Sequence, residues 1–305
     1  MVVAGSTGFV GSNTVKHFSL NGVEARALVR NGANARRKAA SIKDAGASDV
    51  RVVNFDSGKD LVEAMNGCDL LIHLAGTASQ TVSNPFHTSN NVLTELLVNS
   101  AVKAGVRRII YNSGLGVGDE NTLGYFVSKL ECEKIVENSG LEYLIFRPSY
   151  IVGPGDEFSK FIYSSLKNNT PVPVFGSGEY RMQPVHVGDV VKVYLRASRA
   201  GVWNRVFDLV GPQKVSFTRY VSMVAEAFGV KPVFKQVDLE QALRDSMMPA
   251  SKRKVNPDYS VDELMVLISD FTSSHRQVSQ AFGVKFRGLK EIVTSLVEFM
   301  RKQTS

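Results

Sequence analysis

Tyr125 and Lys129 stand four residues apart in "GYFVSKLECEK". On a helix that spacing puts both side chains on one face. A phenol with a pKa near 10 is a weak acid–base at neutral pH. An ammonium beside it, together with a positively charged nicotinamide, stabilises the phenolate and lowers that value. The pair is therefore expected to exchange a proton with an alcohol or carbonyl, with Lys129 also holding a ribose. Ser113 in "YNSG" is a third candidate, read either as a hydroxyl that orients a carbonyl or as a turn residue at a strand end.

A second set of residues would hold the coenzyme for that chemistry. The chain opens "VVAGSTGFVGSNTV", with Gly5, Gly8 and Gly11 spaced by three after a short apolar run. Glycine admits positive φ and lets foreign atoms approach the backbone closely. The expected unit is a strand at residues 2–4, a glycine turn, and a helix with Val10, Val15, Phe18 and Leu20 on its apolar face. Its free N–H groups and helix dipole make an anion site. The expected pyrophosphate contacts are Gly5, Ser6, Thr7, Gly8, Phe9, Val10 and Gly11. The second strand ends "ALVRN", placing Arg30 where a dinucleotide fold meets the adenine ribose. An acid there would hold the 2′-OH of NAD, whereas a guanidinium suits a 2′-phosphate. Arg36, Arg37 and Lys38 follow on the next helix. NADP(H) is favoured and NAD(H) is possible, the alternative being that Arg30 is a solvated strand end.

These residues need a scaffold, and the first half of the chain supplies one. Strand-like stretches at 24–29, 49–55, 69–76, 106–112 and 141–149 alternate with helical stretches at 33–46, 58–67, 85–105 and 122–139. Short apolar strands between helices predict a parallel sheet covered on both faces. With the glycine turn after the first strand, this is the α/β Rossmann pattern, a doubly wound parallel sheet. After residue 150 the chain turns irregular in "VGPGD" and "NNTPVPVFGSG". A short strand leads into a helix in "QPVHVGDVVKVYLRAS", one more strand follows in "NRVFDLVGP", and helical segments joined by short loops run from 216. The expected organisation is a coenzyme-binding Rossmann domain over 1–150 with a chain return at about 184–212. A smaller, mostly helical C-terminal substrate lobe takes 151–183 and 213–305.

Composition narrows the class. A chain of 305 residues that is 44% hydrophobic and 21% charged fits a globular protein with a sizeable core. No apolar run approaches the roughly 20 residues of a membrane span, and no secretory signal is read. Cys68 and Cys132 fit no metal or redox spacing. His17, His73, His87, His186 and His275 form no ligand pair at helical spacing, so no metal is expected. The reading is a cytoplasmic protein with reduced thiols. The net charge of +7 is spread along the chain, without a basic helix or aromatic–basic interleaving. That argues against nucleic acid and for attraction of a phosphorylated ligand. His73 and His186 read as packed residues and Asp189 as a helix cap. Phe158, Phe161, Phe175 and Tyr180 read either as a pocket wall or as core.

Assembled, these motifs resemble the extended or atypical branch of the short-chain dehydrogenase/reductase superfamily along nearly the whole chain. The resemblance rests on "GSTGFVG", Arg30, Asp56 in "NFD", "HLAG", Asn91 in "NNVLTELL", "YNSG", "YFVSK", "FRPSYIVGPGD" and "QPVHVGDV". Within the superfamily, the chain looks closest to the epimerase/dehydratase-like group around the NADPH-binding accessory subunit of respiratory complex I. "NSGLGVGDENTLGYFVSKLECEKIV" and "IFRPSYIVGPGD" carry that likeness. The resemblance implies that Asp56 faces the adenine, that Leu74, Ala75 and Gly76 line the coenzyme channel, and that Pro148 lies beside it. It implies Tyr125, Lys129 and Ser113 as the catalytic set, and it admits a homodimer. The family's catalytic Ser or Thr closes the fifth strand, where either Ser113 or Gly114 falls. Three functions are consistent with these features. The first is an NADP(H)-dependent oxidoreductase acting on the carbonyl or alcohol of a small-molecule substrate. The second is a nucleotide-sugar epimerase or dehydratase with bound NAD(H), and the third is a non-catalytic NADP(H)-bound assembly or scaffold protein.

Overall fold

The computed structural model describes residues 1–305 apart from 81–83, 249–251, 253–259 and 304–305. The chain begins β1 (Val2–Ala4), α1 (Phe9–Leu20), β2 (Arg26–Arg30), α2 (Ala35–Asp44), β3 (Asp49–Val53), α3 (Gly58–Met65) and β4 (Leu70–His73). A π-helical turn (His87–Val92) runs into α4 (Leu93–Lys103), followed by β5 (Arg108–Asn112), α5 (Gly124–Glu137) and β6 (Glu142–Pro148). Next come β7 (Ile151–Val152), α6 (Glu157–Lys167), β8 (Val172–Phe175), β9 (Arg181–Met182), β10 (Val185–His186), α7 (Val187–Ala197) and β11 (Arg205–Leu209). The chain continues through β12 (Val215–Ser216), α8 (Phe217–Phe228), β13 (Phe234–Val237), α9 (Leu239–Ser246), α10 (Val261–Ile268), α11 (Arg276–Phe282) and α12 (Leu289–Lys302). It divides into two units. The first is Met1–Pro148, Val187–Leu209 and Arg276–Lys285; the second is Ser149–His186, Val210–His275 and Phe286–Ser305.

The first unit is built on one parallel sheet in the order β11–β6–β5–β4–β1–β2–β3. Its central strands carry short, nearly continuous apolar runs, as expected where helices cover both faces. Val2, Val3, Leu71, Ile72, Ile109 and Ile110 are all fully buried. Val3 pairs with Ala27 on one side and Ile72 on the other. The strand order therefore changes direction between β1 and β4. In open α/β sheets ligands bind outside the carboxyl ends of the strands at such a switch point. The turn after β1, the loop after β4 and the end of β5 all emerge on that edge.

Leu20 and the segment 276–285 depart from the sequence reading, while the glycine motif runs directly into the first helix. The first helix starts at Phe9, inside the glycine motif, because Gly8 takes the N-cap position with extended backbone. Leu20 is 75% exposed at the last residue of α1 and contributes nothing to its buried face. The segment Arg276–Lys285 belongs to the first unit, not to the smaller lobe. Phe282 packs edge-on against Phe146 and Phe207, at ring distances of 5.6 and 5.3 Å, and so seals the outer strands β6 and β11.

The second unit joins three short strand pairs, β10–β7, β12–β9 and β13–β8, to helices α6, α8, α9, α10 and α12. Phe158 stacks on Tyr220 at 6.0 Å, Phe217 lies 5.4 Å from Tyr180, and Phe175 is 2% exposed. Phe161 packs against the same cluster. These aromatics are the core of this unit. His186 is packed as well, between Arg287 Nη1 at 3.0 Å and Ser295 Oγ at 3.3 Å. Strand β13 appears where only helices and loops were expected.

Candidate active site

The three glycines of the opening turn have different physical reasons. Gly5 has φ +81°, and a Cβ there would lie 2.6 Å from the backbone of Leu74 and Ala75. At Gly11 a Cβ would lie 2.1 Å from the Gly5 carbonyl oxygen. Both positions are fixed by the fold, since the turn folds tightly onto itself and onto the end of β4. Gly8 is different. A Cβ there would meet only the Gly5 oxygen, at 3.4 Å, and its φ of −78° suits any residue. Among the described residues, no other atom beyond its chain neighbours lies within 4 Å of that position. The first turn of α1 also has no side-chain cap and no acidic residue. Its unpaired N–H groups and positive dipole end therefore remain available to an anion. Ser6 is committed elsewhere, because its buried hydroxyl donates to the Leu28 carbonyl at 2.7 Å and ties the turn to β2. Thr7 is exposed, and Phe9 and Val10 are half-buried. The turn therefore fits a dinucleotide pyrophosphate with backbone groups at its centre.

Arg30 closes β2 as an exposed residue, and its guanidinium sits 5.2 Å from the centre of the Phe55 ring. That stacking holds a cation at the strand end. Asp56 follows Phe55 directly; it is exposed, and its N–H is held by Asn54 Oδ1 at 3.0 Å. Arg30 and Asp56 thus flank one aromatic ring at the neighbouring ends of β2 and β3.

On α5, Tyr125 is half-buried and Lys129 is 6% exposed. The Lys129 Nζ donates to the Tyr111 hydroxyl and to the Asn112 carbonyl, each at 3.3 Å, and lies 6.0 Å from the centre of the Tyr125 ring. Burial pushes the Tyr125 phenol up to about 12 and moves the Lys129 ammonium below its usual range. The expectation that Lys129 lowers the tyrosine pKa is therefore not met here. The ammonium is turned toward β5, and desolvation of the phenol dominates. Gly76, with φ +144°, comes close to the same ammonium, since a Cβ there would lie 3.6 Å from Nζ and 2.8 Å from Asn90 Oδ1.

The residue facing the Tyr125 hydroxyl is Gly114, where a Cβ would lie 3.1 Å from that oxygen. The neighbouring Ser113 is 2% exposed, and its Oγ has no hydrogen-bond partner among the described residues. Its N–H donates to the Phe146 carbonyl at 2.7 Å, and that of Leu115 donates to the Pro148 carbonyl at 2.8 Å. Pro148 therefore acts through its backbone, extending the β5–β6 pairing past the last strand residue.

Several residues that fix this geometry had no motif to reveal them. Glu133 on α5 accepts two bonds from Arg147 on β6, at 2.9 and 2.6 Å, and locks the helix to the sheet. Asn90 Oδ1 accepts from the Thr77 N–H at 2.8 Å while its Nδ2 donates to Ser128 Oγ at 3.1 Å, joining the loop after β4 to α5. Asn91, a point of the family resemblance, instead donates to Glu131 on α5. Behind Lys129 lies a buried polar group. The His73 ring is 5.0 Å from that of Tyr111 and bonds Thr94 Oγ1 at 2.9 Å, and the Cys132 thiol interacts with both Thr94 and Tyr111. Burial lowers His73 to about 3 and raises the Tyr111 phenol well above its ordinary value, so both are uncharged at neutral pH. Cys68 and Cys132 are buried and unbridged. Among the described residues, no three His, Cys, Asp or Glu side chains gather as metal ligands, and no helix is long and apolar enough to cross a membrane.

Comparison with known proteins bears on the family and the fold. A ketoreductase from Stigmatella aurantiaca, acting on a farnesylated dihydroquinoline oxide, is 25% identical over 79% of this chain and 76% of its own. Subunit 9 of the alpha subcomplex of mitochondrial NADH dehydrogenase from Arabidopsis thaliana is 26% identical, over 69% of this chain and 53% of that protein. The structure of UDP-glucuronic acid 4-epimerase from Bacillus cereus, in complex with UDP-glucuronic acid and NAD, superposes with a TM-score of 0.75. It covers 99% of both chains at 16% identity, which is a likeness of fold. The family model of the NAD dependent epimerase/dehydratase family matches residues 1–209. The chain belongs to that family of NAD(P)-dependent enzymes.

Proposed function

We propose that this chain is an NADP(H)-dependent oxidoreductase that interconverts a carbonyl and an alcohol on a small molecule. The observation that carries the reading is the Tyr125–Lys129 pair. The two project from one face of α5, with Gly114 rather than a side chain against the phenol oxygen. When bound, the coenzyme would supply or accept the hydride. The residues of this chain bind, orient and move the proton. The N–H groups at the start of α1 would take the pyrophosphate, with Gly8 giving it room. Arg30 would take the 2′-phosphate, Asp56 would face the adenine, and Leu74, Ala75 and Gly76 would line the channel. Lys129 would hold the ribose hydroxyls. In reduction the Tyr125 hydroxyl donates its proton to the carbonyl oxygen as negative charge builds there. A phenol held near 12 is fully protonated at neutral pH, so the proton is in place, although burial makes it a weaker acid than a free phenol. In oxidation the same oxygen accepts the proton, which requires the positive nicotinamide nearby to lower its pKa. Ser113, a buried hydroxyl without a partner among the described residues, is assigned to orienting the carbonyl.

A second reading draws on Gly114. If the hydroxyl that normally assists the tyrosine belongs at 114, the protein would hold the dinucleotide as part of its fold and turn over nothing. The respiratory-chain relative is in keeping with such a role. One experiment separates the two. The purified chain is loaded with NADPH and exposed to a broad carbonyl panel while the nicotinamide absorbance is followed. Substrate-dependent oxidation of the bound coenzyme supports the enzyme. Tight NADPH binding with no oxidation across the panel supports the scaffold.

A further inference from the structure

The first unit carries a second concave feature remote from the glycine turn. It is a cavity of about 340 Å³ between the end of α1, the length of α7 and the chain following α11. His17 and Asn21 come from α1, Lys192 and Arg196 from α7, and Lys285 from the segment after α11. No carboxylate lines it. From Gly8 to His17 the chain climbs nine helical residues, about 14 Å at 1.5 Å per residue. The cavity therefore opens toward the opposite end of α1 from the coenzyme turn.

The charges there do not cancel. Lys192 is paired with the buried carboxylate of Asp189, 3.7 Å away. Arg196 and Lys285 are exposed and make no side-chain ion pair or hydrogen bond among the described residues. The carboxyl ends of α1 and α7 supply about half a negative charge each. Against Arg196 and Lys285 that leaves roughly one positive charge without a partner. The concentration of charge also registers on its neighbour. Burial and the Lys192 ammonium together keep the His17 imidazole below its ordinary pKa. A cavity larger than a bare ion, with two unpaired cations, an amide and an imidazole at its wall, matches a compact anion attached to a small organic body.

We propose that this cavity is a binding site for a phosphate-bearing small molecule, distinct from the coenzyme site. Arg196 and Lys285 take the phosphate oxygens, and Asn21, whose Nδ2 already donates to the His17 carbonyl at 2.8 Å, offers its second N–H beside them. The guanidinium can bind the phosphate bidentately and the ammonium acts as a point charge.

The test is isothermal titration of inorganic phosphate, and separately of pyrophosphate, into the full chain at constant ionic strength. Three proteins are compared: the parent, the double variant R196A/K285A, and Gly8→Val, which blocks the glycine turn. Saturable binding at about 1 mM or tighter is expected in the parent and in Gly8→Val, weakened about tenfold or more in R196A/K285A. Both replaced side chains are exposed, so the fold survives; the single variant Lys285→Glu gives an independent reading, with binding abolished by charge reversal. The proposal fails if the parent shows no saturable binding. It also fails if binding is lost in Gly8→Val and kept in R196A/K285A, which would place the anion at the coenzyme turn.

Discussion

The glycine turn gives a prediction in which the same type of substitution has opposite consequences at neighbouring positions. Gly11→Ala forces a Cβ to within 2.1 Å of the Gly5 carbonyl, a distance no real contact adopts, with backbone as the obstacle. Gly5→Ala adds the strain of φ +81° to an approach of 2.6 Å against the loop after β4. Each should destabilise the coenzyme-free fold by about 1–3 kcal/mol or more. Gly8→Val meets one oxygen at 3.4 Å in a backbone conformation that valine adopts readily. Its costs are a poorer N-cap, about 0.5–1 kcal/mol, offset by a similar reduction in unfolded-chain entropy. The fold should therefore hardly notice Gly8→Val, whereas the isopropyl group stands where a pyrophosphate must approach. Thermal unfolding with and without NADPH reads both effects. At a hundredfold excess over Kd the parent gains about 2.7 kcal/mol from ligand binding, and Gly8→Val should gain almost none. If Gly8→Val lowers the coenzyme-free melting temperature as far as Gly11→Ala does, the space before Gly8 is structural and the reasoning is wrong. Unchanged NADPH stabilisation in Gly8→Val would refute it equally.

Three further expectations follow from the same structure. NADPH should bind at least about tenfold tighter than NADH, roughly 1.4 kcal/mol, and Arg30→Ala should remove most of that gap; equal affinities in the parent, measured by titration calorimetry, would rule Arg30 out as the 2′-phosphate ligand. Tyr111→Phe removes one of two acceptors of the buried Lys129 ammonium and should lower folding stability by about 1.5–3 kcal/mol, so an unchanged denaturation midpoint would show that this bond carries no weight. His73 is held near 3 in the fold against 6.5 in the unfolded chain, so the unfolded chain takes up a proton below pH 6.5 that the fold refuses until about pH 3. Stability attributable to this group should be intact above 6.5 and fall by about 2 kcal/mol at pH 5, and His73→Phe should remove that part of the pH dependence in urea unfolding curves.

What the sequence revealed and what it hid divide along the range of the interactions. The β1–turn–α1 unit was legible because glycine spacing and apolar runs are local signals. Tyr125 and Lys129 were legible because helical spacing puts them together. The residues that position them were not. Tyr111 and the Asn112 carbonyl reach Lys129 across the gap between β5 and α5. Glu133 meets Arg147 across the gap to β6, and no periodicity predicts such pairings. The choice between Ser113 and Gly114 depended on which backbone position faces the phenol, a matter of strand-end twist. Leu20 misled because helical periodicity does not show where the buried face stops, and the last residue of α1 points into solvent. The segment 276–282 reads like any other short helix. Only the partners of Phe282, Phe146 and Phe207 on the distant strands β6 and β11, place it with the first unit. Strand β13 went unread because Phe234, Lys235 and Gln236 are all exposed and show no alternation.

The central claim is that the Tyr125 oxygen carries the proton. Tyr125→Phe deletes that one atom and leaves the ring contacts with Phe86 and Phe126 in place. The direct measurement is the single-turnover rate at which NADPH bound to the variant reduces a carbonyl that the parent accepts. The rate should fall by about 10²–10⁴-fold, the usual contribution of a general acid, while the Kd for NADPH should change less than about twofold, since the proposed coenzyme contacts are Lys129 and the glycine turn and not the phenol. A variant that reduces the same carbonyl at the parent rate would contradict the account.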